Sequence, residues 1–156
     1  MRKRVIGFDQ PTGRSHEEWL DIANLGEIEV TSEENSFPIE SAILPGAKEG
    51  WRAARAGEQT IRIVFDQPQR LTRIFVVFEE HEKARSHQFV LRWTQGIGEP
   101  YREIVRQQWN FSPPGTVREV EDYRVQLSNV KKLEIVIQPD IAAGEAVASL
   151  RQLRLA

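Results

Sequence analysis

The chain has 156 residues, 40% of them hydrophobic and 28% charged, with a formal net charge of −2 and no cysteine. A chain of this length buries roughly 68–70% of its unfolded surface, so one domain with its own core is expected, without disulfide or metal staples. The missing cysteines exclude disulfide frameworks, thiol catalysis and thiolate zinc sites, and the interspersed, nearly balanced charges speak against nucleic acid as a general partner.

No apolar run approaches the ~18 residues that span a bilayer. The basic start, Met1-Arg2-Lys3-Arg4, lacks the apolar stretch of a secretory signal. No membrane partner and a cytoplasmic location are therefore expected. Residues 1–14 contain Pro11 and Gly13 and no periodicity, and read as an arm lying on the domain. Ser15 and Glu18 have capping-box spacing, and Trp19, Ile22 and Ala23 share a helical face before Gly26, which predicts a short helix over 16–24. Arm and helix make up 1–26, and a single globular sandwich follows over 27–156.

Residues 27–31 alternate, with Ile28 and Val30 inward, as a first strand. From 32 to 58 the pattern breaks into a long connection, with one helical turn opened by Pro38 and closed by Pro45-Gly46. Residues 60–66 and 71–79 are then predicted as two antiparallel strands joined by a tight turn at 67–70, where Pro68 fits. Ile61, Ile63 and Phe65 share one face of the first; Ile74 to Phe78 is apolar on both faces of the second, which marks it as central. Further strands are expected at 88–94, 101–110, 119–127, 133–137 and 147–155. About eight strands with turns every 8–15 residues describe an all-β fold, an antiparallel jelly-roll β-sandwich with a short N-terminal helix.

Strict strand reversal sorts the connections. The short ones, 66–70, 95–100 and 128–131, fall at one end; the long ones, 32–58, 80–86, 111–118 and 138–146, fall at the other. Long loops on a rigid scaffold are where binding sites are built. This end collects Trp51, Arg52, Arg55, His81, Glu82, Arg85, His87, Trp109, Asn110 and Asp140.

The stretch from Gly50 to Glu80, with Trp51 ahead of the turn at Gly57 and the pattern Ile61-x-Ile63-x-Phe65-Asp66, together with the closing leucines 150, 153 and 155, resembles the coagulation factor 5/8 type C, or discoidin-like, group of galactose-binding-like domains. The likeness covers about 27–156. It implies an eight-stranded jelly roll whose loops at one end bind sugars, lipid headgroups or protein partners. The chain departs from that pattern at Leu44-Pro45-Gly46, where relatives carry an Asp-Gly pair that binds calcium. A hard cation wants six or more oxygens including carboxylates, so no metal and no cofactor are expected.

Trp51 and Trp109 suit stacking on the apolar side of a sugar ring, although large aromatics at such positions more commonly plug the end of the core. Arg52, Arg55 and Arg85 suit forked hydrogen bonds to hydroxyls or a carboxylate, although surface arginines near acids such as Glu79, Glu80 and Glu82 are more often solvated ion pairs. His81 and His87 match no metal spacing. There is no serine elbow, phosphate loop or helical His-Glu pair, and Glu79 and Glu80, as strand neighbours, point to opposite faces. The expectation is therefore no enzyme and no catalytic residue. A non-catalytic domain is expected, binding a carbohydrate or similar polar ligand through Trp51, Arg52, Arg55, His81, Arg85, His87, Trp109 and Asn110. An intracellular protein-interaction module on the same fold is the alternative.

Overall fold

The structure, a computed structural model, describes residues 19–46, 49–142 and 144–156. The arm expected over 1–14 and the first residues of the expected helix lie outside these. What is described of the helix is a single turn, α1 (Ile22–Leu25). In chain order there follow β1 (Gly26–Val30), α2 (Glu40–Ile43), β2 (Trp51–Ala56), β3 (Gln59–Glu79), β4 (Arg85–Thr94), β5 (Arg102–Phe111), β6 (Arg118–Gln138), β7 (Val147–Leu150) and β8 (Gln152–Leu155). The helical turn expected after Pro38 is α2.

The expected hairpin at 67–70 is not there. Residues 59–79 form one strand of 21 residues, and the expected turn at 128–131 is likewise interior to β6, also 21 residues long. The two run antiparallel along their whole length, from Gln59 opposite Ile137 to Glu79 opposite Arg118. Their ladder shifts register between Val64 and Arg73, as happens where strands bend from one layer of a sandwich into the other. The bend doubles β3 back on itself. Phe78, near its end, lies 4.9 Å from the ring of Phe89, yet Phe89 pairs with Ile137 and Ile137 with Gln59, so the two ends of β3 meet at one level across the core.

The first half of β3 sits between β1 and the second half of β6, which continues into β4 and β5; the second half sits between β8 and the first half of β6. A separate pair, β2 with β7, completes the sandwich. Ile61, Ile63 and Phe65 from one half and Ile74, Val76 and Phe78 from the other belong to one buried cluster, each such side chain contributing roughly 1.5–3 kcal/mol. Gly26 permits β1 to lie this close to β3, since a Cβ there would stand 2.2 Å from the Val64 carbonyl oxygen.

The corner itself is exposed. Its carbonyls at Phe65 and Asp66 accept hydrogen bonds from the Lys131 ammonium, and Asn129 opposite takes the left-handed conformation, φ 59°, that asparagine tolerates. Gln95 reaches the Ser128 carbonyl, which places the 95–100 loop at the same pole. Ile97 stands fully exposed at the tip of that loop, between Gly96 and Gly98, both with positive φ. At the opposite pole, the Glu80 amide donates to Val117, that of Ile141 to Ser86 and that of Gly57 to Ala146. The long connections do gather at one end, by way of a folded ribbon where two hairpins had been expected.

On the outer face of the larger layer, Glu29, Arg62, Glu134, Arg92 and Glu103 are consecutive cross-strand partners over five strands. Arg62 bridges Glu29 at 3.0 Å and Glu134 at 2.8 Å, and Arg92 bridges Glu134 at 2.7 Å. Burial opposes charge on Glu134, but hydrogen bonds from Arg92, Arg62 and Tyr101 outweigh it and hold the carboxyl below its ordinary value.

Candidate functional site

At the long-loop pole the described residues enclose a cleft of about 830 Å³. One wall is β2 with residues 34 and 37; the second is the β3–β4 connection, 79–85; the third is formed by Asp140 and the run from Glu145 through β7 to Arg151. The first wall is tied in by backbone hydrogen bonds from Glu34 to the Arg52 carbonyl and from Arg52 to the Phe37 carbonyl. Gly50, with φ 80°, turns the chain into β2 beside Leu150.

Each wall carries cations already matched to carboxylates. Arg52 lies 3.8 Å from Glu34 with its guanidinium 4.8 Å above the Phe37 ring. Arg85, its side chain 8% exposed, lies 3.5 Å from Glu80 and donates from Nη1 to the Val147 carbonyl at 2.9 Å. Burial, working against the Glu80 and Asp140 charges, pulls its guanidinium below the ordinary value. Glu79 is a hub: Arg118 donates to it at 2.9 Å, His81 lies at 3.2 Å and Arg151 at 3.6 Å. Among the described lining residues the acids Glu34, Glu49, Glu79, Glu80, Glu82, Asp140 and Glu145 outnumber the cations Arg52, Lys83, Arg85 and Arg151. The surface is thus dense in paired donors and acceptors, suited to exchanging hydrogen bonds with hydroxyls.

Of the residues singled out from sequence, Arg52, His81 and Arg85 come together around this cleft, with Glu82 and Asp140. Trp51 lies in its floor, 1% exposed, with its indole donating to the Ser32 carbonyl at 3.1 Å; its ring is core. Arg55 turns aside to the Thr31 carbonyl. Trp109 and Asn110 are on β5, away from the cleft, and Asn110 accepts a hydrogen bond from Ser86. His87 is in the core, 2% exposed, among Phe78, Phe89 and Phe111.

Glu34, Phe37, Ser149 and Arg151 line the cleft without having been singled out. For Arg151 a signal existed. Leu150 and Leu153 are both buried but three apart, which breaks the two-residue rhythm of one strand, and Arg151 is the break between β7 and β8.

No protein-family model matches the chain, and no curated protein matches it. Solved structures do. The chain is similar to the family 32 carbohydrate-binding module of C. perfringens NanJ, solved in complex with galactose: TM-score 0.63, 12% identity, 88% of this chain and 96% of that one covered. It is similar to CpGH89CBM32-5 from Clostridium perfringens, in complex with GalNAc-β-1,3-galactose: TM-score 0.64, 15% identity, with 88% and 98% covered. It is also similar to reduced XRCC1 bound to the DNA pol beta catalytic domain: TM-score 0.61, 12% identity, with 85% and 95% covered. The chain therefore shares the β-sandwich fold of these modules, the kind of fold that the motifs around Trp51 and the β3 pattern implied.

Proposed function

We propose that the protein is a non-catalytic binding domain that takes a carbohydrate or similar polar ligand into the cleft between β2, the 79–85 connection and β7. The observation that carries this reading is the convergence of Arg52, His81 and Arg85 on one open, polar cleft at the long-loop pole. Likeness to modules solved with galactose and with a galactose disaccharide supports the same class of ligand. In this reading Arg52 and His81 supply hydrogen bonds at the rim. Arg85, fixed by Val147 and Glu80, supplies a preorganised donor deeper in.

The test is a glycan array followed by calorimetry on the strongest hits. Arg52→Ala combined with His81→Ala should weaken binding about tenfold or more, ~1.4 kcal/mol, with the melting temperature unchanged, whereas Arg55→Ala should leave binding intact. Unchanged affinity in the double variant would remove the cleft from consideration. A second reading, a protein-interaction module, is favoured by the likeness to XRCC1 in complex with a polymerase domain. It predicts no glycan binding at all and a co-purifying protein that the same double variant releases.

A further inference from the structure

Behind the Arg85 wall, five side-chain polar atoms of four residues are buried without a hydrogen-bond partner among the described residues: Arg85 Nε, His87 Nε2, Trp109 Nε1 and both carboxylate oxygens of Glu119. Native interiors contain few such atoms, and these are neighbours. His87 and Trp109 are cross-strand partners on β4 and β5, and Arg85 lies two residues before His87 on the same face. Glu119 comes from the half of β6 that pairs with Phe78 in the opposing layer, and its Oε1 is 3.5 Å from His87 Nε2. Glu119 is 0% exposed, and the imidazole ring is 4.4 Å from Phe78 and 5.6 Å from Phe111.

We propose that Glu119 and His87 form a buried proton-binding site joining the two layers, in which a single proton is carried by the Glu119 carboxyl and donated to His87 Nε2. The surroundings select this state. With no proton the Glu119 carboxylate would be left charged without a donor, with two the imidazolium would face an uncharged acid, and with the one proton on His87 both groups would be charged inside an apolar box, each arrangement heavily penalised. The charged groups around the pair act in the same direction. Arg85 on β4 disfavours a second positive charge on His87. Glu121, which shares Glu119's strand face and is hydrogen-bonded by the Tyr123 hydroxyl at 3.1 Å, disfavours a second negative one. Glu80 and Asp140, at the mouth, act on Arg85. Burial, and then the Arg85 charge, push the His87 imidazole down to about 3; burial, and then Glu121, push the Glu119 carboxyl up to about 8.

The sign of the pH dependence follows by counting protons. Between the ordinary values of 4.5 for Glu119 and 6.5 for His87, the folded pair holds one proton on the acid and the unfolded chain holds one on the imidazole, so stability is level. Above 6.5 only the folded state keeps its proton, and stability falls as pH rises to about 8. Below 4.5 the unfolded chain binds two and the folded state one, so stability falls as pH drops to about 3.

Melting temperature against pH for the wild type, Glu119→Gln and His87→Gln tests this. The wild type should lose about 3 °C or more between pH 6.5 and pH 8.5. Glu119→Gln, which keeps the donor without a titrating group, should lose its alkaline fall and keep the acid one; His87→Gln should do the reverse. Should either variant fail to fold, the carboxyl-carbon resonance of wild-type Glu119 decides. Titration in the upper range, near 8, supports the pair. Titration in the ordinary carboxylate range, or an unchanged alkaline fall in Glu119→Gln, overturns it.

Discussion

At the level of single residues, Glu134 is unusual for the outside of a sheet, being 1% exposed and held from both sides by Arg62 and Arg92. Its stability contribution is present above the ordinary carboxylate range and is lost as pH falls through its depressed folded-state value. Removing both cations, Arg62→Ala with Arg92→Ala, strands the carboxylate and should destabilise by about 2 kcal/mol or more, while Glu134→Gln, which keeps shape and acceptor, should cost about half as much; denaturant melts at pH 7 and pH 3 measure both. Trp51 makes the complementary point. Buried at 1% exposure and hydrogen-bonded to Ser32, it should cost roughly 3–5 kcal/mol when replaced by alanine, a loss visible in a melt with no ligand present. A side chain used only to stack on a sugar would leave that melt unchanged.

At the level of elements, the folded ribbon of β3 and β6 organises everything else. Its sequence showed the apolar beats and concealed the connection. Gln67-Pro68-Gln69-Arg70 is polar and contains proline, so it matches a turn and an exposed corner equally, and only the long-range ladder with β6 distinguishes them. β2 escaped notice because Ala53, Ala54 and Ala56 carry little strand preference, although Trp51 and Ala53 are buried in alternation. What fixes β2 in place is its entry. Gly50 has φ 80°, and a Cβ there would stand 2.8 Å from the Leu150 carbonyl oxygen. Gly50→Ala should therefore cost about 1–3 kcal/mol and displace one wall of the cleft, so its thermal melt and its binding should deteriorate together.

For the whole molecule, the pole that carries the cleft was readable from strand reversal alone, because a doubled-back ribbon returns its ends to the same place as a pair of hairpins. The individual residues were less readable. Arg52, His81 and Arg85 sit on the cleft because β2, the 79–85 connection and the start of β4 converge there. Trp109 and Asn110 belong to β5, and His87, two residues along β4 from Arg85 on the same face, is packed into the core. The closing strand is part of the same core: Leu153 and Leu155 are fully buried, and β8 pairs with Ile74 to Val77. Deleting residues 152–156 should abolish cooperative unfolding, measured by calorimetry, since the second half of β3 would lose its neighbour. The far pole offers a practical advantage. Ile97 is bare to solvent there and the chain has no native thiol, so Ile97→Cys gives one chemically unique handle. Coupled to a sensor chip or a dye through that sulfur, every copy would face outward in a common orientation, with the cleft proposed for binding unobstructed.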